Sequence, residues 1–273
     1  MPSEAQLEGL NASLARQFHA DLYTGNRIVL AAAGIDHQEL LHVAEPLLKL
    51  APQGTPGEVT SKYIGGELRQ GSDAAETHVL LGFEAPGGWS DLRSSMTQHV
   101  LAALMGGGGS FSAGGPGKGM HSRLYTRVLN RYHFVSKCEF LHMGYNRTGL
   151  VGIAISGDSG HAAELADIAT EELLAAAKSL TAEEVDRAKN AAMSNIKMFL
   201  ESRAVVAEDM GRSILSPWGR RVPLEEALGI MEKLTPQDLQ GEIAKYIKTP
   251  LTLAVSGRAA AVAKYGAVEK RFK

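Results

Sequence analysis

Apolar positions along the chain recur at the spacings of helices and of strands. In residues 3–22, Leu7, Leu10, Leu14 and Phe18 follow a helical spacing, which predicts an amphipathic helix. Short apolar runs predict strands at 28–34, 78–83, 134–141, 149–156 and 251–255. Further helices are predicted from residue 36, around 96–104, at 121–130, 160–178, 181–201, 204–215 and 224–233, and from residue 235.

Polar residues mark where several of these helices begin. Asp36 with Glu39, and Thr181 with Glu184, have the spacing of a capping box, in which each side chain bonds the other residue's backbone N–H. Thr235 followed by Pro236 predicts another helix start.

One pattern of helix end, turn and apolar strand occurs twice. It runs from Tyr23 to Gly34 and returns 223 positions later, from Tyr246 to Gly257. Short apolar motifs also recur by coincidence, so two interpretations stay open. If the repeat is real, residues 1–50 are the tail of a first domain, 51–76 a glycine- and proline-rich linker, and 77–273 a second domain. A helix–strand–helix tail cannot bury its strand alone, so the rest of its domain must come from elsewhere.

Composition excludes several classes of protein. The 273 residues carry 28 Lys+Arg against 30 Asp+Glu, a net charge of -2, which argues against a nucleic-acid binder. The single cysteine, Cys138, excludes an internal disulfide and a cysteine-based zinc site. No apolar run approaches the ~18–20 residues of a membrane span. The acidic N-terminus resembles no targeting peptide; either the protein has no such segment or its natural start lies upstream.

The most unusual stretch runs from Met105 to His121 and contains four consecutive glycines. It fails the phosphate-loop template, because Lys118 is followed by Gly119 rather than Ser or Thr. A flexible tether and a mobile flap that closes on a peptide both remain open. Phe111 and Met120 favour the flap, since apolar side chains are unusual in a plain tether.

The histidines do not form a zinc motif. His37 and His42 are five residues apart, which places them on different faces of a helix, and neither H-E-x-x-H nor H-x-x-E-H occurs. The sequence therefore predicts no metal site and no catalytic residue in this chain.

Several stretches together resemble a known family. Besides the glycine-rich stretch Leu104–Ser122, they are Tyr63–Gly66, Phe83–Trp89, Asn146–Leu150, Leu200–Arg203, Glu208–Arg212 and Lys270–Phe272. In this order they resemble the C-terminal portion of the processing-peptidase alpha subunits of mitochondria, a branch of the pitrilysin-type, inverted-zincin metallopeptidases. The resemblance covers essentially the whole chain.

This resemblance implies an α+β fold with a mixed, largely antiparallel sheet and helices packed on one face. In the family, the beta subunit carries the zinc, while the alpha subunit lacks a metal and binds presequences through its glycine-rich loop. The substrate-binding residues implied here are Gly106, Gly107, Gly108, Gly109, Ser110, Phe111, Ser112, Gly114, Gly115, Gly117, Lys118, Gly119 and Met120.

One departure from peptidase-type members concerns catalysis. Those members carry an R-L-[FY]-x-x-[VL]-R motif followed by a tyrosine, which stabilises a substrate carbonyl. Here Arg123-Leu124-Tyr125 matches, but Leu129 stands at the second arginine position. The resemblance therefore implies a non-catalytic subunit.

The resemblance also implies partners and a location. The partners are the beta subunit with its zinc, the missing N-terminal portion of the alpha subunit, presequence peptides and other subunits of respiratory complex III. The location is the matrix side of the mitochondrial inner membrane. Two alternatives stay open: a purely structural core protein of complex III with a vestigial loop, and an active zinc peptidase, whose ligands the sequence lacks.

Overall fold

The structure is a computed structural model that describes residues 3–49, 51–54, 61–110 and 120–273. The chain divides into two compact units. The smaller unit comprises Met1–Lys62 and Phe199–Leu215, and the larger comprises Tyr63–Met198 and Ser216–Lys273.

The described residues contain helices and strands in an irregular alternation. The helices are α1 (Glu4–Glu8), α2 (Ala12–Leu22), α3 (His37–Leu48), α4 (Leu92–Met105), α5 (Ala162–Lys178), α6 (Ala182–Phe199), α7 (Arg203–Leu215), α8 (Leu224–Glu232), α9 (Pro236–Tyr246) and α10 (Tyr265–Glu269). The strands are β1 (Gly66–Gly71), β2 (Glu76–Glu84), β3 (Gly107–Gly109), β4 (Val135–Gly144), β5 (Gly149–Asp158) and β6 (Thr252–Gly257).

The larger unit is built on one six-stranded sheet. Its strand order is β1-β6-β2-β5-β4-β3. β1 and β6 are parallel, whereas every other neighbouring pair is antiparallel. The expected α+β class with a mixed, largely antiparallel sheet is confirmed.

One face of this sheet is covered by helices. α5 packs against β2 and β5, and α4 packs against β4. Because side chains alternate between the faces of a strand, every second residue is buried beneath these helices. Leu81, Phe83, Ile153, Ile155 and Leu253 are completely or almost completely buried there.

Strand β1 lies inside the range 51–76, which the sequence suggests as a linker. Its six residues include one large apolar side chain, Leu68, so the hydrophobic pattern gives no strand signal. Backbone pairing with β6 and the side chain of Arg69 hold it instead. The Arg69 guanidinium donates to the carbonyl oxygens of Val262, at 2.9 Å, and Ala263, at 2.5 Å.

Three predicted elements differ from the structure. The helix expected at 3–22 is interrupted, because the Asn11 side chain accepts from the Leu14 N–H at 3.0 Å and starts α2. The segment 121–130 contains a π-helical stretch, Tyr125–Leu129. The strand expected at 28–34 is wrong: the described residues offer this segment no hydrogen-bonded partner strand.

The smaller unit has little core of its own. Asp36 caps α3 by accepting from the N–H groups of Gln38 and Glu39. The predicted cap is confirmed, but the return bond from the Glu39 side chain to the Asp36 N–H is not among the hydrogen bonds of the described residues. Among the described residues of this unit, Ala44 is the buried hydrophobic side chain. Larger apolar side chains, including Leu14 and Phe18, remain exposed.

Candidate functional site

The glycine-rich stretch begins as an edge strand of the sheet. Helix α4 ends at Met105, and Gly106 caps it with a φ of 57°. The next three residues form β3, in which Gly107 pairs with Glu139, Gly108 with Cys138 and Gly109 with Lys137. The described start of the stretch is therefore paired into the sheet.

Close packing explains two of these glycines. A Cβ at Gly106 would lie 2.4 Å from the side chain of Ser122, and one at Gly107 would lie 2.1 Å from the carbonyl oxygen of Cys138. Gly107 also has a φ of 105°, which side-chain-bearing residues rarely adopt. Glycine is therefore required at both positions, because neighbouring atoms lie too close to the backbone to leave room for a Cβ.

Side chains from beyond the stretch hold its first residues in place. The Ser122 hydroxyl accepts from the Gly107 N–H at 3.3 Å, and the Tyr125 hydroxyl donates to the Gly109 carbonyl at 3.0 Å. The Ser110 N–H donates to the Ser136 carbonyl at 2.7 Å. Ser122 and Tyr125, which follow residues 111–119, are thus hydrogen-bonded to Gly107 and Gly109, which precede them.

The structure describes six of the candidate binding residues. Gly106, Gly107, Gly108, Gly109 and Ser110 lie together at this edge, and Met120, the first residue described after 119, is exposed. The remaining candidates, Phe111, Ser112, Gly114, Gly115, Gly117, Lys118 and Gly119, lie outside the described residues. The sequence motif includes Tyr125 but gives no signal of its anchoring hydrogen bond, because that contact depends on the π-helical turn.

Arg123, which matches the peptidase motif, is turned into the protein. Its Nη1 donates to the carbonyl of Ser179 at 3.0 Å and to Glu184 Oε1 at 2.9 Å. The residue is 3% exposed, and its Nε and Nη2 atoms are buried without a hydrogen-bond partner among the residues that the structure describes. Leu129, at the second arginine position, is also buried. Neither side chain can therefore contact a substrate in this conformation.

The ion pair of Arg127 and Glu172 lies next to Arg123. Arg127 Nε lies 2.7 Å from Glu172 Oε2. The hydrogen bond to Glu172 raises the pKa of Arg127 above its ordinary value. Glu172 is largely buried, so the pair fixes the π-helical segment against α5.

The described residues do not bring together a zinc ligand set. No group of three or more His, Cys, Asp or Glu side chains is placed to hold a metal within the described part of the chain. His37 and His42 are both exposed on α3. His99 and His142 form a ring pair with centroids 5.6 Å apart, and burial followed by the charge of His99 lowers the pKa of His142. Two imidazoles alone do not fit the zinc site of a peptidase, which needs about three protein ligands.

Cys138 is not a nucleophile in this structure. Its thiol is fully buried beneath the sheet edge, and burial raises its pKa to about 12. A protonated, inaccessible thiol is chemically inert.

No helix in the described ranges has both the length and the apolar character that a membrane crossing requires.

Comparison with known proteins places the chain in a family. Residues 9–192 match the family described as Peptidase M16 inactive domain. The chain is 45% identical over 276 residues to the mitochondrial-processing peptidase subunit alpha of Solanum tuberosum, covering 100% of this chain and 55% of the potato protein. It is 33% identical over 267 residues to the human protein of the same name, covering 91% of this chain and 50% of the human protein.

A solved structure shares the fold. A chain from the structure described as complex III2 from Candida albicans with Inz-5 bound gives a TM-score of 0.75 at 18% identity, covering 87% of this chain and 56% of that chain. The present chain spans about half the length of the curated relatives that it matches. It belongs to the peptidase M16 family, and the relatives that resemble it along its whole length are alpha subunits of mitochondrial processing peptidases.

Proposed function

We propose that this chain is a non-catalytic, presequence-binding part of a mitochondrial processing peptidase. The observation that carries the proposal is at the base of the glycine-rich segment, where Ser122 and Tyr125, after residues 111–119, hydrogen-bond Gly107 and Gly109 before them. Glycine has no Cβ and admits more backbone conformations than other residues, so a glycine-rich sequence suits peptides of different sequence. Phe111 and Met120 supply apolar contact within it.

Peptide hydrolysis itself is assigned to a partner. We assign the zinc to the beta subunit, as the resemblance to processing peptidases implies. Arg123 and Leu129 are buried, so they supply no hydrogen bond to a substrate carbonyl. The role of this chain is to hold the presequence.

We extend the proposal to the remaining partners and to the location. We assign as partners a processing-peptidase beta subunit, the further portion of the alpha subunit that the longer relatives contain, presequence peptides and other subunits of complex III. The location is the matrix side of the mitochondrial inner membrane. Supporting observations are the names of the relatives and the fold shared with a chain of complex III.

Replacing the segment tests the proposal. In the full chain co-expressed with a beta subunit, residues 111–119 are exchanged for a Ser/Thr sequence of equal length. We expect assembly to be retained and the KM for a presequence peptide to rise about tenfold, which corresponds to about 1.4 kcal/mol of lost binding. The matched control exchanges residues 217–221 in a separate loop. An unchanged KM and unchanged peptide affinity would refute presequence binding by the segment.

A structural role in complex III is the second candidate. The shared fold with a complex III chain, at a TM-score of 0.75, favours it. If this role is the whole function, the segment exchange alters neither peptide affinity nor cleavage, and the chain co-purifies with haem-containing subunits. Peptide binding that is lost on the exchange contradicts a purely structural role.

A further inference from the structure

A row of aromatic rings lies at the end of the sheet where β4 begins and β5 ends. The rings of Tyr132 and Phe134, in the turn before β4, have centroids 5.7 Å apart. Phe134 stacks on His161, with a centroid distance of 4.2 Å and an angle of 11° between the rings. Beside Tyr132, the guanidinium carbon of Arg131 lies 5.7 Å from the centroid of the tyrosine ring. We call these four side chains the aromatic row.

Backbone hydrogen bonds fix the aromatic row before any partner binds. The Tyr132 N–H donates to the Val128 carbonyl, and the Val135 N–H donates to the Tyr132 carbonyl, each at 3.0 Å. The Phe134 carbonyl accepts from the Asp158 N–H at 2.9 Å, which joins the turn to the end of β5. Tyr132 and Phe134 also pack against the buried core. Because the rings are held in advance, little conformational entropy is lost when a partner covers them.

The guanidinium of Arg131 is available for an ionic contact. Arg131 is exposed, and within the described part of the chain no carboxylate lies within ion-pair distance of it. The neighbouring cations differ, since Arg127 is paired with Glu172 and Lys137 with Glu139. A guanidinium over a ring keeps N–H groups free at its edge, in the planar arrangement that binds a carboxylate with two hydrogen bonds. The aromatic row therefore combines apolar ring surface with a positive charge that can accept a partner.

We infer that the aromatic row is a docking site for an acidic segment of a partner protein. A carboxylate of the segment binds Arg131, and an apolar side chain next to that carboxylate packs on Tyr132. Tyrosine and arginine are enriched among the residues that dominate the binding energy of protein interfaces. The inference goes beyond the proposed function, because Arg131 repels a basic presequence peptide.

The charges around the aromatic row select a protein partner over other anions. His133 lies on the same turn and is exposed, but His161 Nδ1 lies 2.8 Å from Oε1 of Glu164, which is exposed as well. Nucleic acids and anionic membranes are held by several cations at once. A single guanidinium near an exposed carboxylate instead suits one carboxylate of a protein segment.

A charge reversal at Arg131 tests the inference. The probe is a fluorescein-labelled peptide in which glutamate alternates with leucine, and a second probe carries glutamine in place of glutamate. Fluorescence anisotropy measures the affinity of both probes for the full chain co-expressed with a beta subunit, as wild type, Arg131→Lys and Arg131→Glu. Because Arg131 is exposed, these variants are expected to fold. The matched control is Arg258→Glu, which reverses an exposed arginine just after β6.

We expect Arg131→Glu to bind the glutamate probe about tenfold more weakly than wild type, with Arg131→Lys between them. Arg258→Glu should bind this probe like wild type, and the glutamine probe should not distinguish the variants. A second pair of variants tests the ring. Tyr132→Phe should keep the affinity for the glutamate probe, whereas Tyr132→Leu should lower it.

Four results would contradict docking of an acidic segment. The inference is overturned by equal affinities of wild type and Arg131→Glu, or by the same loss in Arg258→Glu. It is also overturned if wild type does not bind the glutamate probe. Loss of a chain dimer in Arg131→Glu, with probe affinity unchanged, identifies a second copy as the occupant and overturns it too. The segment-exchange experiment measures presequence binding and decides the proposed function separately.

Discussion

The hydroxyl of Tyr125 donates a hydrogen bond of 3.0 Å to the carbonyl oxygen of Gly109. This bond joins the π-helical segment after the glycine-rich stretch to the strand before it. Tyr125 is buried and Gly109 is exposed. The donor is therefore held by the surrounding core, while the acceptor lies at the protein surface. The start of the glycine-rich stretch is therefore held in part by the side chain of Tyr125, beside the contact of Ser122 with Gly107.

Tyr125→Phe should weaken the attachment of the glycine-rich stretch to the sheet edge. Loss of one hydrogen bond is expected to lower the free energy of unfolding by about 1 kcal/mol. Amide exchange at Ser110 should accelerate, because its bond to Ser136 lies just beyond the freed carbonyl. Tyr132→Phe is the control, since it removes a hydroxyl from a ring that packs on Phe134. Equal exchange at Ser110 in both variants would contradict the anchoring role.

Gly107→Ala should destabilise the fold strongly. Its Cβ would lie 2.1 Å from the Cys138 carbonyl, and its φ of 105° is unfavourable for alanine. We expect a loss of about 3 kcal/mol. Gly109→Ala is the matched control in the same strand, because its nearest neighbour to a Cβ is 3.8 Å away. Chemical denaturation of both variants measures the difference; similar midpoints would show that close approach does not require glycine at 107.

The hydrophobic pattern predicted the elements better than their pairing. Helices α4 to α9 and strands β2, β4, β5 and β6 lie close to their predicted positions, because apolar runs or helix-capping residues mark most of them in the sequence. Strand β1 has one large apolar residue, so its place beside β6 depends on backbone pairing with residues more than 180 positions away.

The sequence pattern also did not reveal the structural role of Gly107. The sequence suggests backbone freedom for every glycine of the stretch, whereas the close contact of Gly107 with Cys138 is visible only once β3 and β4 are paired.

The pattern that occurs twice in the sequence is matched only in part by the structure. Gly34 and Gly257 both have positive φ values, 92° and 110°, but only the second ends a strand of the sheet.

Glu184→Gln should lower the free energy of unfolding far more than Glu183→Gln does. Glu184 pairs with buried Arg123 at 2.9 Å and also accepts from the Thr181 N–H at 2.9 Å. Removing its charge leaves the guanidinium buried without a counter-ion, which costs about 3 kcal/mol. Glu183→Gln removes an exposed pair with Arg187 and should change stability by less than about 0.5 kcal/mol. Thermal denaturation of the two variants provides the comparison.

His142 should make the fold less stable in acid. Burial, and then the charge of His99, lower the pKa of His142 in the folded chain. The unfolded chain takes up a proton near pH 6.5, while the folded chain resists protonation until a lower pH. Stability is therefore lost as the pH falls from about 6.5 through the folded-state pKa. His142→Gln should reduce the drop in melting temperature between pH 7 and pH 5. The control, His133→Gln, alters an exposed histidine; an equal effect of both variants would exclude the His99–His142 pair as the cause.

The smaller unit should make the isolated chain self-associate. Leu14 and Phe18, four residues apart on α2, are 48% and 59% exposed, and the apolar segment 28–34 has no strand partner among the described residues. Exposed apolar patches and unpaired extended backbone both promote association. Sedimentation velocity across a range of concentrations should show oligomers of the full chain. Leu14→Ser with Phe18→Ser should reduce association, whereas Arg16→Ala on the same helix should not. Because the buried core lies in the larger unit, these changes should leave its melting temperature unaltered. A monomer at every concentration would mean that the chain covers this surface by itself.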